Sequence, residues 1–193
     1  HTFLKKVFST KASPVHLLAN AISIPSAAQE VNTLPHPELP ENLFLYPVRA
    51  VRRKNLGELA LIAASYPEKH FANSLGPTNP EFQPIFKRWA QFSNEINLPV
   101  TFALGEKTSV SFPEMVDHAE GILSTSIAEG FGLGFLEPWM SGKFLWGRNI
   151  PEITQDFSSL GINLNHLYQR ININLEHLQN KGSLTSKIQT TLE

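Results

Sequence analysis

The sequence of 193 residues contains no cysteine, which excludes a disulfide framework, thiolate metal sites and thiol chemistry. The absence suits a reducing compartment, and we expect a cytoplasmic protein. No apolar run reaches the roughly 18 residues that a membrane-spanning helix needs, so none is expected. The first residues, His1 to Lys6, are too short and broken an apolar stretch for a secretory signal.

An excess of one charge is also missing, because 16 Lys and Arg residues face 17 Asp and Glu residues, for a net charge of −1. Nucleic acid is therefore not an expected partner, since such binding depends on a positive field. The seven histidines show no metal-ligand spacing beside a carboxylate, so no metal site is expected. A hydrophobic content of 41% is typical of a globular domain with a substantial core.

Two regions differ in their pattern. Near residue 40, the segment 33–40 contains three prolines within six residues, which favours an extended linker or surface strap. From Asn42, apolar runs that predict strands alternate with stretches of helical periodicity. We predict strands at 42–48, 99–105, 122–125 and 143–147, helices at 56–64, 85–96, 112–119, 133–141 and 164–178, and a loop at 71–84.

Alternation of strand and helix predicts an α/β fold: a Rossmann-like parallel sheet with helices on both faces. Ligands of such sheets bind beyond the carboxyl ends of the strands. Two motifs are predicted to lie at such ends, a basic run and a glycine turn.

The glycine turn follows the strand at 122–125 and is flanked by Glu129 and Glu137. A strand that enters a glycine turn and then a helix points backbone N–H groups at a ligand, which favours phosphate. Carboxylates repel phosphate but accept hydrogen bonds from hydroxyl groups. Phosphate together with hydroxyls indicates a sugar nucleotide, although a plain strand–helix connection would read similarly. A dinucleotide fingerprint fits poorly, because Gly130, Gly132 and Gly134 lack its spacing.

The basic run from Arg49 to Lys54 follows the first predicted strand. A guanidinium and an ammonium at this strand end could neutralise a diphosphate. The alternative is a solvated basic loop, which is the commoner meaning of such a run.

Together these motifs resemble those of retaining glycosyltransferases of the two-lobed GT-B fold, the large family-four, group-one type. Residues 124–133 are similar to the family's Ser-x-x-Glu-Gly-Phe-Gly-Leu segment, and Glu129 and Glu137 fit its Glu-x7-Glu signature. Arg49 and Lys54 fit its Arg-x4-Lys pair. Residues 143–153 resemble its next strand and the proline–glutamate turn after it, so the resemblance spans roughly 42–155. Pro138 departs from the family, which more often has a small residue there.

The resemblance implies a role for each position. Glu129 would contact the transferred sugar, and Glu137 would accept hydrogen bonds from the ribose. Arg49 and Lys54 would hold the diphosphate as catalytic cations, and the backbone at Gly130, Phe131, Gly132 and Leu133 would bind the distal phosphate. The donor would be a nucleoside-diphosphate sugar, with no cofactor and no metal. The acceptor, the base and the sugar stay open.

It also implies an organisation of the chain. Residues 1–40 would be the interdomain linker and a remnant of an N-terminal lobe, and residues 41–193 would be the nucleotide-sugar-binding domain with its C-terminal helix. The missing lobe would be a partner, so we expect this chain alone to be inactive in transfer. Two alternatives stay open: a non-catalytic nucleotide-binding or regulatory module, and a nucleotide-sugar epimerase of the same architecture.

Overall fold

The computed structural model describes residues 36–174 together with Glu176 and Gly182. Within them, five strands form one parallel sheet in the order β3-β2-β1-β4-β5. The predicted α/β class with a parallel sheet is therefore confirmed. The strands are β1 (Leu43–Arg49), β2 (His70–Leu75), β3 (Val100–Thr101), β4 (Gly121–Ser124) and β5 (Phe144–Gly147). The α-helices are α1 (Leu56–Ser65), α2 (Gln83–Glu95), α3 (Phe112–His118), α4 (Glu137–Met140) and α5 (Pro151–Ser159).

Helices cover both faces of the sheet because successive side chains of a strand point to opposite sides. In β1, Leu43 and Leu45 belong to one buried cluster, which includes residues of α3 and α5. Tyr46 belongs to a second cluster, which includes residues of α1 and α2. The two clusters form the core on either side of the sheet. The carboxyl ends of the strands lie between them, where a ligand is expected to bind.

Strand β2 corrects the prediction of a loop at 71–84. Asn73 suggested a loop because asparagine is depleted in strands. It is nevertheless fully buried: its side-chain amide donates to the carbonyl of Leu75 at 2.7 Å, and its Oδ1 accepts from the amide of Ala103 at 3.0 Å. A buried polar side chain is tolerated when it is hydrogen-bonded in this way. The strand is therefore compatible with a residue that sequence preference disfavours.

The predicted helix at 164–178 is wrong in the residues that are described, since 164–174 contain no helix. Tyr168 instead forms a parallel bridge with Arg148 at the edge of β5. Its amide donates to the carbonyl of Gly147, and its carbonyl accepts from the amide of Asn149. Leu164 and Leu167 are buried in the core. The spacing of apolar residues therefore indicated which side chains are buried, but not that the segment is a helix. Most of 175–178, and the segment 1–35, lie outside the described residues.

The connection after β4 is more broken than the predicted helix at 133–141. A 3-10 turn covers Leu133–Phe135, and α4 begins only at Glu137. Pro138 occupies the first turn of α4, where a missing N–H is tolerated. Strand β3 is also shorter than predicted.

Across the described part of the chain, no helix is both long and apolar enough to cross a membrane.

Candidate functional site

The candidate site lies where the sheet changes direction. Strands β1 and β4 are neighbours, although β2 and β3 separate them in sequence. The connections leaving their carboxyl ends go to opposite faces, which opens the crevice where α/β sheets bind ligands. The basic run begins at the last residue of β1, and the glycine turn follows β4. The fold therefore brings both predicted motifs to one crevice.

Lys54 and Glu129 are in direct contact there. The Lys54 Nζ atom lies 2.5 Å from Glu129 Oε1, and the two side chains are only 11% and 16% exposed. An ammonium has three N–H donors, of which this contact uses one. Two donors remain for other oxygens in the crevice. The pair thus holds a cation in place without exhausting its ability to bind an anion.

Three hydrogen bonds, two at the basic run and one at β1, hold this part of the chain against the segment that follows β4. The Thr125 hydroxyl donates to the carbonyl of Lys54 at 2.9 Å. The amide of Ile127 donates to the carbonyl of Arg53 at 2.9 Å. The hydroxyls of Tyr46 and Ser126 are 2.5 Å apart, and burial raises the pKa of the Tyr46 phenol well above its usual range. The position of Lys54 therefore follows from the fold and not from a mobile loop.

Arg49 is the last residue of β1 and is exposed. Its Nη1 atom donates to the carbonyl of Gly76 at 3.0 Å. The amide of the same glycine donates to Glu106 Oε1 at 2.8 Å. Arg49 therefore lies at the same carboxyl edge as Lys54, but it is anchored toward β2 rather than toward Glu129.

The glycine turn has one position where only glycine fits. Gly132 has a φ of +72°, and an added methyl group there would overlap Ile153 and Phe157 of α5. At Gly130 and Gly134, by contrast, an added methyl group would meet no atom of the described chain within 4 Å. No hydrogen bond within residues 36–174 uses the amides of 130–133. Within that range these N–H groups have no protein partner, as is expected of the N–H groups of an anion-binding turn.

Glu137 lies at a separate cavity of about 230 Å³ beside this turn. Phe112 of α3 and Pro47 of β1 also line the cavity, as does Gly134. The walls are largely apolar, and Glu137 contributes a carboxylate at the start of α4. A mostly apolar recess with a carboxylate and the Ser141 hydroxyl in its lining suits a flat base together with the hydroxyl groups of an attached sugar.

A buried carboxylate beneath the basic run was not predicted from the sequence. Glu58 of α1 is 8% exposed and accepts hydrogen bonds from three side chains. Arg148 donates from Nε at 3.0 Å and from Nη2 at 2.5 Å, the Tyr168 hydroxyl donates at 2.6 Å, and the Asn55 amide donates at 2.8 Å. Hydrogen bonding to Glu58 raises the pKa of Arg148. The pKa of Tyr168 is raised mainly by burial and, to a smaller extent, by its hydrogen bond to Glu58.

Local sequence could not have revealed this network, because Arg148 and Tyr168 lie 90 and 110 residues from Glu58. Helical periodicity gave no signal either, because Glu58 lies on the opposite side of the helix from Leu56, Ala60 and Ala63. Such an acid is buried only when it has a partner. In the described residues, no group of three acidic or histidine side chains is placed to hold a metal ion.

In comparisons with known proteins, the chain is similar to enzymes that transfer sugars. No protein-family model matches the chain. It is 27% identical over 117 residues to the mannosylglucosyl-3-phosphoglycerate synthase of Petrotoga mobilis. The matched region covers 61% of this chain and 23% of that protein. The chain therefore spans about a quarter of the curated relative that it matches.

Solved structures share the fold. The crystal structure of TarM matches 97% of this chain with a TM-score of 0.59 at 18% identity, over 34% of its own length. The pneumococcal O-GlcNAc transferase GtfA, determined with UDP and GlcNAc, matches 97% with a TM-score of 0.55 at 20% identity, over 35% of its length. At these identities the likeness concerns the fold, which is one found in glycosyltransferases.

Proposed function

We propose that this chain is the donor-binding domain of a retaining glycosyltransferase. It would bind a nucleoside-diphosphate sugar, from which the whole enzyme moves the sugar to an acceptor hydroxyl with its anomeric configuration kept. The observation that carries the proposal is the contact between Lys54 and Glu129, 2.5 Å apart, beside the open amides of the glycine turn. A cation and free amides suit a diphosphate, and a carboxylate suits the hydroxyl groups of a sugar.

The diphosphate is assigned to the crevice between the basic run and the glycine turn. Lys54 retains two donors for phosphate oxygens, and the amides of 130–133 add fixed dipoles. Arg49 lies on the same edge, and its guanidinium would reach the phosphates by exchanging its bond to the carbonyl of Gly76. A site of this composition binds negative charge without a metal ion, so we propose that transfer needs none.

The nucleoside is assigned to the cavity beside α4. In this assignment Glu137 accepts hydrogen bonds from the ribose hydroxyls, and the base lies against apolar walls such as Phe112. The assignment is consistent with the diphosphate position, because Gly134 lines the cavity and belongs to the same turn. Base identity would depend on backbone and shape more than on side chains.

The reaction would use these groups when the leaving group departs. As the bond between sugar and diphosphate breaks, negative charge grows on the diphosphate oxygen. In this assignment Lys54 faces that charge and Arg49 would turn toward it, and donors that are already in place lower the barrier because they need not reorient. Glu129 would face the transferred sugar and, through its contact with Lys54, keep the ammonium directed into the crevice.

The acceptor would be bound by a part of the enzyme outside this chain. The chain spans about a third of the solved structures that share its fold. We propose that a second lobe completes the acceptor site, and that this chain alone binds donor without efficient transfer.

Calorimetric titration with UDP, GDP, ADP and their sugars tests the proposal. We expect at least one diphosphate to bind, and its nucleoside to bind more weakly. If no member of the panel binds at millimolar concentration, the donor-binding function is wrong. Binding without transfer by the full-length enzyme would favour a regulatory module instead.

A further inference from the structure

We propose that Glu58 is a positioning residue for Lys54, acting through Asn55. This inference rests on the proposed function, since it assigns a role to a buried carboxylate within the same site. Glu58 does not reach the crevice; its hydrogen bonds are made to Asn55, Arg148 and Tyr168. Its influence on a ligand would pass through the backbone that carries Lys54.

The backbone next to Lys54 is in an unusual conformation. Asn55 has φ 51° and ψ 57°, in the left-handed region, and it joins the 3-10 turn of the basic run to α1. Asparagine is one of the few residues other than glycine that adopt this region. Its side chain makes no capping bond to the helix backbone. Instead it donates to Glu58 Oε2 at 2.8 Å, so the carboxylate fixes the residue at which the chain turns.

The same peptide is also held by the segment at the end of β4. The Thr125 hydroxyl donates to the carbonyl of Lys54, and the amide of Arg148 donates to the carbonyl of Ser124 at 2.8 Å. Ser124 and Thr125 are adjacent, and Arg148 also binds Glu58. The contacts therefore close a ring from Lys54 through Glu58 and Arg148 to the end of β4, and back to Lys54.

This ring explains why a charged residue occupies an interior position. An ion pair with a buried carboxylate contributes little to stability compared with apolar residues of similar volume, because the carboxylate loses its hydration. A rigid turn has a different value at a site that binds a diphosphate. A group misplaced by about 1 Å can lose up to about 100-fold of the effect that depends on its exact position, such as the stabilisation of a bound diphosphate. We therefore assign Glu58 to the geometry of the crevice.

The test is a double-mutant cycle with Glu58→Gln and Lys54→Ala. Affinity is measured by calorimetry for whichever of UDP, GDP and ADP binds the wild type most tightly, and for its nucleoside. We expect Glu58→Gln to weaken diphosphate binding about tenfold or more and to leave nucleoside binding unchanged. In the Lys54→Ala background, Glu58→Gln should have no further effect, because the cation that it positions is gone.

Equal effects of Glu58→Gln in both backgrounds would overturn the inference, as would parallel losses for the diphosphate and the nucleoside. All affinities are taken below the unfolding temperature of each variant. If Glu58→Gln does not fold, Asn55→Gly replaces it in the cycle, because glycine keeps the left-handed backbone and removes only the amide contact.

The outcomes separate the two proposals. A wild type that binds no diphosphate, or a Lys54→Ala variant that binds it normally, contradicts the proposed function. A wild type that depends on Lys54 but not on Glu58 or Asn55 leaves the donor site intact and contradicts only the positioning role.

Discussion

Gly132 lies so close to Ile153 of α5 that one added methyl group would overlap the isoleucine side chain. The glycine turn is therefore packed on the helix that follows β5, and α5 supports the turn from below. A motif that could be read as a phosphate loop is, at this position, also a packing requirement. The two roles can be separated by substitution.

We predict that Gly132→Ala lowers the free energy of unfolding by roughly 2–4 kcal/mol, because alanine adds left-handed strain and overpacks α5. Gly142→Ala is the matched control: Gly142 also has a positive φ of 64°, but no described atom lies within 4 Å of an added methyl group. We expect about 1–2 kcal/mol for the control. Equal losses in chemical denaturation would contradict the packing between the turn and α5.

Glu137 is predicted to read the ribose. The wild type should prefer its best-binding nucleoside diphosphate to the 2′,3′-dideoxy form of the same ligand by about tenfold or more, since a hydrogen bond to a charged acceptor contributes about 1.5–3 kcal/mol. The variant Glu137→Ala should bind both ligands with similar affinity. Glu152→Ala removes another exposed acid in a first helical turn and should keep the wild-type preference. A preference that survives in Glu137→Ala would assign the ribose elsewhere.

The elements that could be predicted are those whose structure is determined by residues close together in the sequence. Helix α2 followed from its apolar spacing, and β1 and β4 followed from apolar runs. The resemblance of Lys54 and Glu129 to a known motif indicated the crevice. Strand β2 was missed because the partners of Asn73 come from other segments, including the amide of Ala103.

Long-range partners explain the remaining errors. Tyr168 lies at the sheet edge because Gly147 and Asn149 supply its backbone hydrogen bonds, and apolar spacing alone cannot distinguish that arrangement from a helix. The network of Glu58 needs partners up to 110 residues away. Chemistry that depends on such contacts requires a structure.

Stability should fall as the pH is lowered through about 6.5, because of His70. Burial lowers the pKa of this side chain from 6.5, and its Nε2 atom lies 2.8 Å from the Thr101 hydroxyl. Above pH 6.5 both folded and unfolded states hold neutral histidine. Below it the unfolded state gains a proton first, so unfolding becomes easier until the pH passes the lower folded pKa.

The check is denaturant unfolding between pH 8 and pH 5, compared with His70→Gln, which cannot gain this charge. The variant should show a smaller decline over that range. An identical decline in both proteins would mean that other groups cause the dependence. The lowered pKa values of Glu38 and Glu114, due mainly to hydrogen bonds from Ser109 and Ser111, act in a separate window below about pH 4.5.

The most direct test of the donor site is removal of the cation Lys54, which is only partly exposed. The variants Lys54→Ala and Lys87→Ala each lose one lysine, but Lys87 is exposed on α2, outside the crevice. Calorimetry would compare the best-binding nucleoside diphosphate with its nucleoside. We predict that Lys54→Ala weakens diphosphate binding about 10- to 100-fold, does not weaken nucleoside binding, and that Lys87→Ala changes neither. Equal losses for the two ligands in Lys54→Ala, or equal effects of the two lysines, would contradict the account.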